Sequence, residues 1–297
     1  MITKPNVKIN LGLNVLRKRE DGYHDLETLF VPYMEISDTL EIVAGDDYSR
    51  TSASLFSRYG SLPEHADGAR PLVQAVSDDG KMMITIARRE GVDWNPLKDL
   101  CAKAYKILSD DFDLPPVKIF LEKTSPVGAG LGGGSSDAAF ALRMLDEMFS
   151  LGLDDSALAG YASRLGSDCA FFIYNRPMIG RGRGEILVPY PLEGIGYGQE
   201  GSSGMPYEIK VAVPEGIAVS TAQAYAGIIP HIPEHSLTEI LANPVSSWKD
   251  SLVNDFETTV FSARPELSAI KSSLYESGAV YASMSGSGSA LFGIYRR

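Results

Sequence analysis

Hydrophobic and polar positions alternate most cleanly near the start of the chain. Val7, Ile9, Leu11, Leu13 and Val15 alternate with Lys8, Asn10, Gly12 and Asn14. That period of two predicts a half-buried strand with one polar face. On its own Lys8 reads as a charge on a solvated sheet face. Residues 26–33 and 39–43 predict further strands, and residues 117–122 another with alternating faces. Leu97, Leu100, Cys101, Ala104, Tyr105 and Leu108 make an apolar stripe at 3.6 spacing, which predicts an amphipathic helix over 95–110. Ala138, Ala139, Leu142, Leu145 and Phe149 mark a second helix, and residues 155–165 a third that stops at Gly166.

In the second half, residues 170–174, 186–190 and 209–213 read as strands. Ser220 and Thr221 read as the cap of a helix over 222–228, residues 252–261 as helical, and residues 265–277 as a helix opening on proline. Residues 280–295 read as strand, Gly/Ser loop and strand. Residues 46–79 are polar and without strong period, which predicts loops with short strands. Residues 194–205 read as a mobile glycine-rich loop. No internal repeat and no regular βαβ rhythm is visible, so the expected class is α+β.

Composition narrows the function. The 297 residues are enough for two domains. A formal charge of −11 disfavours a nucleic-acid groove or an anionic membrane surface as partner. Any phosphate bound here must therefore meet a local positive field. Two cysteines, Cys101 and Cys169, make no disulfide framework and suit a reducing cytoplasm. Polar residues interrupt the first thirty positions, and no apolar run approaches the ~20 residues of a membrane span. The expectation is a soluble cytoplasmic protein.

The chemistry centres on residues 125–139, Ser-Pro-Val-Gly-Ala-Gly-Leu-Gly-Gly-Gly-Ser-Ser-Asp-Ala-Ala. Glycine lets main-chain N–H groups approach a ligand closely. A helix starting at residues 135–137 adds unpaired amides and a positive dipole end. Together they predict an anion site suited to nucleotide phosphates. A P-loop reading fails, because Gly134 stands where the lysine belongs. Gly128, Gly130 and Gly133 match G-x-G-x-x-G, but a helical pattern follows where a second parallel strand should run. A purely structural glycine turn rarely needs Gly-Gly-Gly-Ser-Ser directly before a helix.

The stretch from Pro126 to Ala139 resembles the central motif of the GHMP kinases, small-molecule kinases named for galactose, homoserine, mevalonate and phosphomevalonate. Other matches run in order along the chain: Lys4-x-Asn-x-Lys8-x-Asn10, Arg19-x-Asp-Gly-Tyr-His24, Asn95, Gly166-Ser-Asp168, Gly182-x-Gly-Glu185, Asn254-Asp-x-Glu257 and Ser285-Gly-Ser-Gly-Ser289. Within the superfamily they look most like the branch acting on a cytidine-diphosphate methylerythritol. The resemblance implies a two-domain fold, residues 1–166 for ATP and 167–297 for substrate, with the site in the interdomain cleft. It implies ATP and Mg²⁺ as cofactors, with no metal ligand identifiable.

It also implies roles. Asp168 would be the general base, in a turn between a helix and a strand. Lys8 would keep Asp168 ionised and orient the acceptor hydroxyl. The ATP set would be Asn95, Lys123, Pro126, Gly128, Gly130, Leu131, Gly132, Gly133, Gly134, Ser135 and Ser136. Asn95 and Lys123 would lie near adenine and ribose; without the resemblance they read as a helix cap and a surface charge. Asn10, Tyr23 and His24 would recognise the cytidine end, Tyr23 by stacking. Ile179 occupies the place of a second stacking aromatic and has no π-face. Cys169 reads as a buried small apolar residue. His231 and His235 stand at i,i+4, but Pro233 breaks the helix that would align them on zinc. Alternatives are a homoserine- or mevalonate-type kinase, or a non-catalytic nucleotide- or sugar-binding relative. Oligomeric state stays open between monomer and weak dimer.

Overall fold

The computed structural model describes residues 1–45, 47–60, 62 and 68–297. The chain begins with β1 (Ile2–Thr3), β2 (Asn6–Lys18), β3 (His24–Ser37), β4 (Thr39–Ala44) and α1 (Ser52–Tyr59). Next come β5 (Arg70–Val76), β6 (Met82–Val92), α2 (Leu100–Ser109), β7 (Val117–Lys123), α3 (Gly133–Phe149), α4 (Asp155–Leu165) and α5 (Cys169–Tyr174). Then follow β8 (Met178–Arg181), β9 (Ile186–Pro189), β10 (Ile195–Gly196), β11 (Tyr207–Ala212) and α6 (Thr221–Ala226). The last are α7 (Leu237–Leu241), α8 (Phe256–Ala263), α9 (Pro265–Glu276), β12 (Tyr281–Met284) and β13 (Leu291–Arg296). Helices and strands are mixed in α+β fashion, as the patterning predicts.

Two compact units emerge, and neither is a single run of chain. One comprises Met1–Asn6, Ile36–Ser125 and Gly133–Tyr174; the other comprises Val7–Glu35, Pro126–Gly132 and Asn175–Arg297. The expected boundary between residues 166 and 167 falls inside the first unit.

In the first unit a five-stranded sheet has the order β1-β4-β7-β6-β5, with β6 and β7 parallel and the other pairs antiparallel. Helix α3 packs on α2, α4 and α5. The expected helix over 95–110 divides: Asn95 caps a short 3₁₀ turn, Pro96–Lys98, and Asp99 caps α2 by accepting from the Cys101 N–H at 2.9 Å. Residues 170–174 are a helix, not a strand. All of Cys169–Ile173 is buried, so the run carries no period that separates the two forms.

Residues 46–79 are more ordered than their composition predicts. Within them lie α1 and β5, while residues 46, 61 and 63–67 are outside the described residues. Leu55 is the single buried residue of α1, too thin an apolar stripe to read as a helix. The helix is fixed from the sheet instead. Buried Glu41 on β4 accepts from Ser49 Oγ at 2.6 Å, Arg50 N–H at 2.8 Å, and Thr51 N–H and Oγ at 3.0 and 2.5 Å. Leu55 then packs with Val43, Leu72, Ala87 and Phe120.

The second unit holds two four-stranded sheets, β2-β3-β8-β9 and β10-β11-β13-β12. Its core includes Tyr281, Phe292 and Trp248, with Phe256, Val260 and Leu267 from α8 and α9. Residues 194–205, expected as a mobile loop, supply β10, which pairs in parallel with β11 and buries Ile195. Helix α8 starts later than expected because the chain before it is held extended: Leu13 N–H donates to Val253 O and Asp255 N–H to Leu13 O. Strand β2 is buried on both faces, so its polar face is not solvated. Lys8, Asn10 and Asn14 are each at most 3% exposed.

Replacing Glu41 tests the account of α1. Glu41→Gln, which cannot accept all four donors, should cost about 1–3 kcal/mol in urea unfolding. Burial alone would raise the Glu41 carboxyl, but its hydrogen bonds from Ser49, Thr51 and Arg50 win and hold it below its ordinary value. The contribution is therefore present above the unfolded value near ~4.3 and is lost as pH falls through the folded value. The stability gap between parent and variant should shrink on acidification.

Candidate active site

Between Pro126 and Gly132 the glycine loop runs through the second unit with Gly128, Gly130 and Gly132 in the left-handed region, at φ 72°, 77° and 72°. Ala129 and Leu131 between them are buried and pin the loop, while Gly128 is exposed. At Gly130 a Cβ would stand 2.1 Å from the Ser285 carbonyl oxygen, so only glycine fits. The Gly130 carbonyl accepts from Lys8 Nζ at 2.9 Å and from Ser285 Oγ at 3.0 Å. Lys8 N–H donates to the Leu131 carbonyl at 2.9 Å. Lys8 Nζ also donates to Asn10 Oδ1 at 2.5 Å, and Asn10 Nδ2 to Thr28 Oγ1 at 3.1 Å. The polar face of β2 is thus covered by the glycine loop and by the Ser285–Ser289 segment.

From Gly133 the chain belongs to the first unit, and α3 begins there, two residues before the expected start. Gly133 is closely packed there, since a Cβ on it would lie 2.4 Å from Ser125 Oγ. Gly134 is exposed, Ser135 half-buried and Ser136 buried. The first-turn amides of a helix this long suit an anion.

Beneath that turn lies Lys123, 5% exposed, which excludes the surface-charge reading. Its ammonium donates to Asp38 Oδ2 at 2.5 Å, Asp137 Oδ2 at 2.6 Å and Ser125 Oγ at 3.3 Å. All three N–H donors are engaged, and none is left for a nucleotide. Burial disfavours this charge, but Asp137 and Asp38 outweigh it and hold Lys123 above its ordinary value. Burial lifts Asp137 well above the carboxylate range against the pull of Lys123. Asp38 also accepts from the Thr124 and Ser125 N–H groups at 2.6 and 2.7 Å and from Ser125 Oγ at 2.6 Å.

Asp168 is half-buried in the turn between α4 and α5. Neighbouring Cys169 is fully buried, and burial pushes its thiol up to about 12 despite a hydrogen bond with Ser135. Within the first unit, therefore, the Asp168 turn adjoins the first turn of α3. Asn95 is exposed and accepts from Leu97 N–H at 2.9 Å, as a cap.

In the second unit, Tyr23 is 55% exposed and the Arg183 guanidinium carbon lies 5.0 Å from its ring centroid. His24 stacks on Tyr225 with centroids 4.8 Å apart and planes at 22°. Burial, then the charge of Lys18, lowers the His24 imidazole from its ordinary value. Ile179 is 3% exposed inside β8, paired with Leu29 and Val188, and offers no free face.

Comparison with known proteins gives the family and the fold. The GHMP kinase N-terminal domain model matches residues 99–176, and the GHMP kinase C-terminal model matches residues 236–297. A 4-diphosphocytidyl-2-C-methyl-D-erythritol kinase of Bacteroides fragilis is 44% identical over 99% of this chain and 92% of its own. The chain belongs to the GHMP kinases. A Bacteroides thetaiotaomicron protein of the same name is 45% identical over the same shares. A crystal structure of 4-(cytidine 5'-diphospho)-2C-methyl-D-erythritol kinase superposes with TM-score 0.71 at 29% identity, covering 99% of this chain and 89% of that one. Homoserine kinase from Cytophaga hutchinsonii shares the fold at TM-score 0.62 and 14% identity, covering 99% and 86%.

GHMP kinases are ATP-dependent, and this member's loop offers amides rather than side-chain charge. Among the described residues no cluster of three or more His, Cys, Asp or Glu could hold a metal ion. Mg²⁺ does not require one, since it binds through nucleotide phosphates and keeps waters. Among the described residues no helix is long and apolar enough to cross a membrane. Sequence reasoning assigned no role to Asp38, Thr28, Asp137 or Ser285. Only Asp137 and Ser285 stood in matched motifs. Lys123→Met, which strands two buried carboxylates, should cost about 3–5 kcal/mol in denaturant unfolding. A solvated lysine at this position would cost no more than about 0.5 kcal/mol.

Proposed function

We propose that the protein transfers the γ-phosphate of ATP to the 2-hydroxyl of 4-diphosphocytidyl-2-C-methyl-D-erythritol, in the non-mevalonate route to isoprenoid precursors. The identity of 40–45% with relatives bearing that kinase's name, along 99–100% of the chain, carries this reading. Phosphoryl transfer to a hydroxyl needs positioning, neutralisation of phosphate charge and a proton sink. The amides of residues 130–136 take the β- and γ-phosphates, with Pro126, Gly128 and Leu131 shaping the approach and Asn95 at the adenine and ribose. Lys123 acts from beneath the first turn of α3, consistent with its burial between carboxylates.

Asp168 takes the proton of the acceptor hydroxyl, and Lys8 orients that hydroxyl. The adjacency of the Asp168 turn to Ser135 supports this assignment. Tyr23 and His24 recognise the cytidine end, Tyr23 by its exposed ring and His24 by its edge, oriented by Tyr225. Asn10 acts through Lys8, to which it is bonded. Buried Ile179 does not face the base in this reading, so the exposed ring of Tyr23 carries the stacking.

Incubation of the purified protein with Mg²⁺, ATP and the cytidyl acceptor should give acceptor-dependent ADP. Turnover with homoserine or mevalonate in its place would overturn the substrate and keep the class. Asp168→Asn should lower kcat by about 10² or more while nucleotide binding survives. An unchanged kcat would remove Asp168 as the base.

A further inference from the structure

Three features of the first unit converge under the start of α3. Lys123 bridges Asp38 and Asp137, so one carboxylate on the β3–β4 connection and one on α3 share a single ammonium. Asp38 also holds the backbone of residues 124 and 125, which lead into the glycine loop. Ser125, fixed by donation to Asp38, is the surface on which Gly133 sits with no room for a side chain. The first turn of α3 is thus held at two points, by Ser125 under Gly133 and by Lys123 under Asp137. Both points trace to Asp38, whose carboxylate gathers four hydrogen bonds while 1% exposed.

The geometry points to Asp38 as a positioning residue for nucleotide phosphates: through Lys123 and Ser125 it sets where the first-turn amides of α3 stand. The inference rests on the reading that those amides bind phosphate. Asp38 itself is buried and meets no ligand. Amide donors act on a phosphate only at hydrogen-bond distance, so a shift of the turn by a fraction of an ångström weakens the site. Asp38→Asn keeps the shape but cannot accept from both backbone amides while also answering the ammonium and the hydroxyl. It leaves Asp137 as the one carboxylate beside Lys123 and loosens the hold on Ser125.

The test measures KM for ATP, KM for the acceptor, kcat, and the Kd of a non-hydrolysable ATP analogue with Mg²⁺, beside a melting curve. Asp38→Asn should raise the Kd and the ATP KM by about tenfold and leave the acceptor KM within about twofold. Ser125→Ala, a milder variant that retains the Lys123 ion pairs, should shift the same two constants in the same direction by about threefold. If Asp38→Asn does not fold, the Ser125→Ala result decides alone. Constants for ATP and acceptor moving together, or an unchanged analogue Kd in a folded variant, would overturn the role. The control on the underlying reading is the amide proton–nitrogen spectrum of the ¹⁵N-labelled parent protein, in which the analogue should shift the amides of residues 133–136. If those amides do not shift, the phosphates lie elsewhere and that reading fails. If they shift while both platform variants bind the analogue as the parent does, only the inference fails.

Discussion

A desolvated ammonium between two carboxylates is the constraint on which the first unit's chemistry depends. Taking Lys123, Asp38 and Asp137 out of water costs several kcal/mol per charge, and only close contacts with further hydrogen bonds offset it. The contacts at 2.5 and 2.6 Å, with Ser125 and the two amides on Asp38, provide them. The cluster still holds one carboxylate more than it has cations, and burial raises Asp137 accordingly. Such an arrangement favours one geometry strongly over its neighbours. It lies under the first turn of a helix whose amides must stand at fixed points.

The second unit also buries a cation behind its loop. Lys8, buried on β2, holds the Gly130 carbonyl together with Ser285. Left-handed glycines at 128, 130 and 132 turn the chain, and Ala129 and Leu131 anchor it in apolar surroundings. In the first unit, then, a buried lysine lies behind the first turn of α3, and in the second a buried lysine holds the glycine loop. That suits a protein of formal charge −11, in which an exposed basic patch would compete with many carboxylates. Amides carry partial positive charge without a counter-ion to desolvate.

Much of this was legible in sequence because local chemistry dictates it. The alternation in β2, the 3.6 period after the loop, the stop of α4 at Gly166 and the glycine spacing each follow from backbone geometry. What failed depended on distant residues. Helix α1 is organised by Glu41 rather than by its own stripe, and α5 is a short apolar run with no period of its own. The polar face of β2 looked solvated because its covering, the glycine and Ser285 loops, lies far along the chain. Lys123 looked like a surface charge for the same reason, since its partners stand 85 and 14 residues away. Asp38 gave no signal at all. Ile179 had the right place in the motif, but strand β8 buries it.

The measurement that bears most directly on the account is ³¹P NMR of the product formed from Mg²⁺, ATP and the cytidyl acceptor. The account predicts ADP together with a new phosphomonoester resonance, while the two resonances of the acceptor's diphosphate persist. Loss of that diphosphate, or ADP without a new monoester on the acceptor, would contradict it.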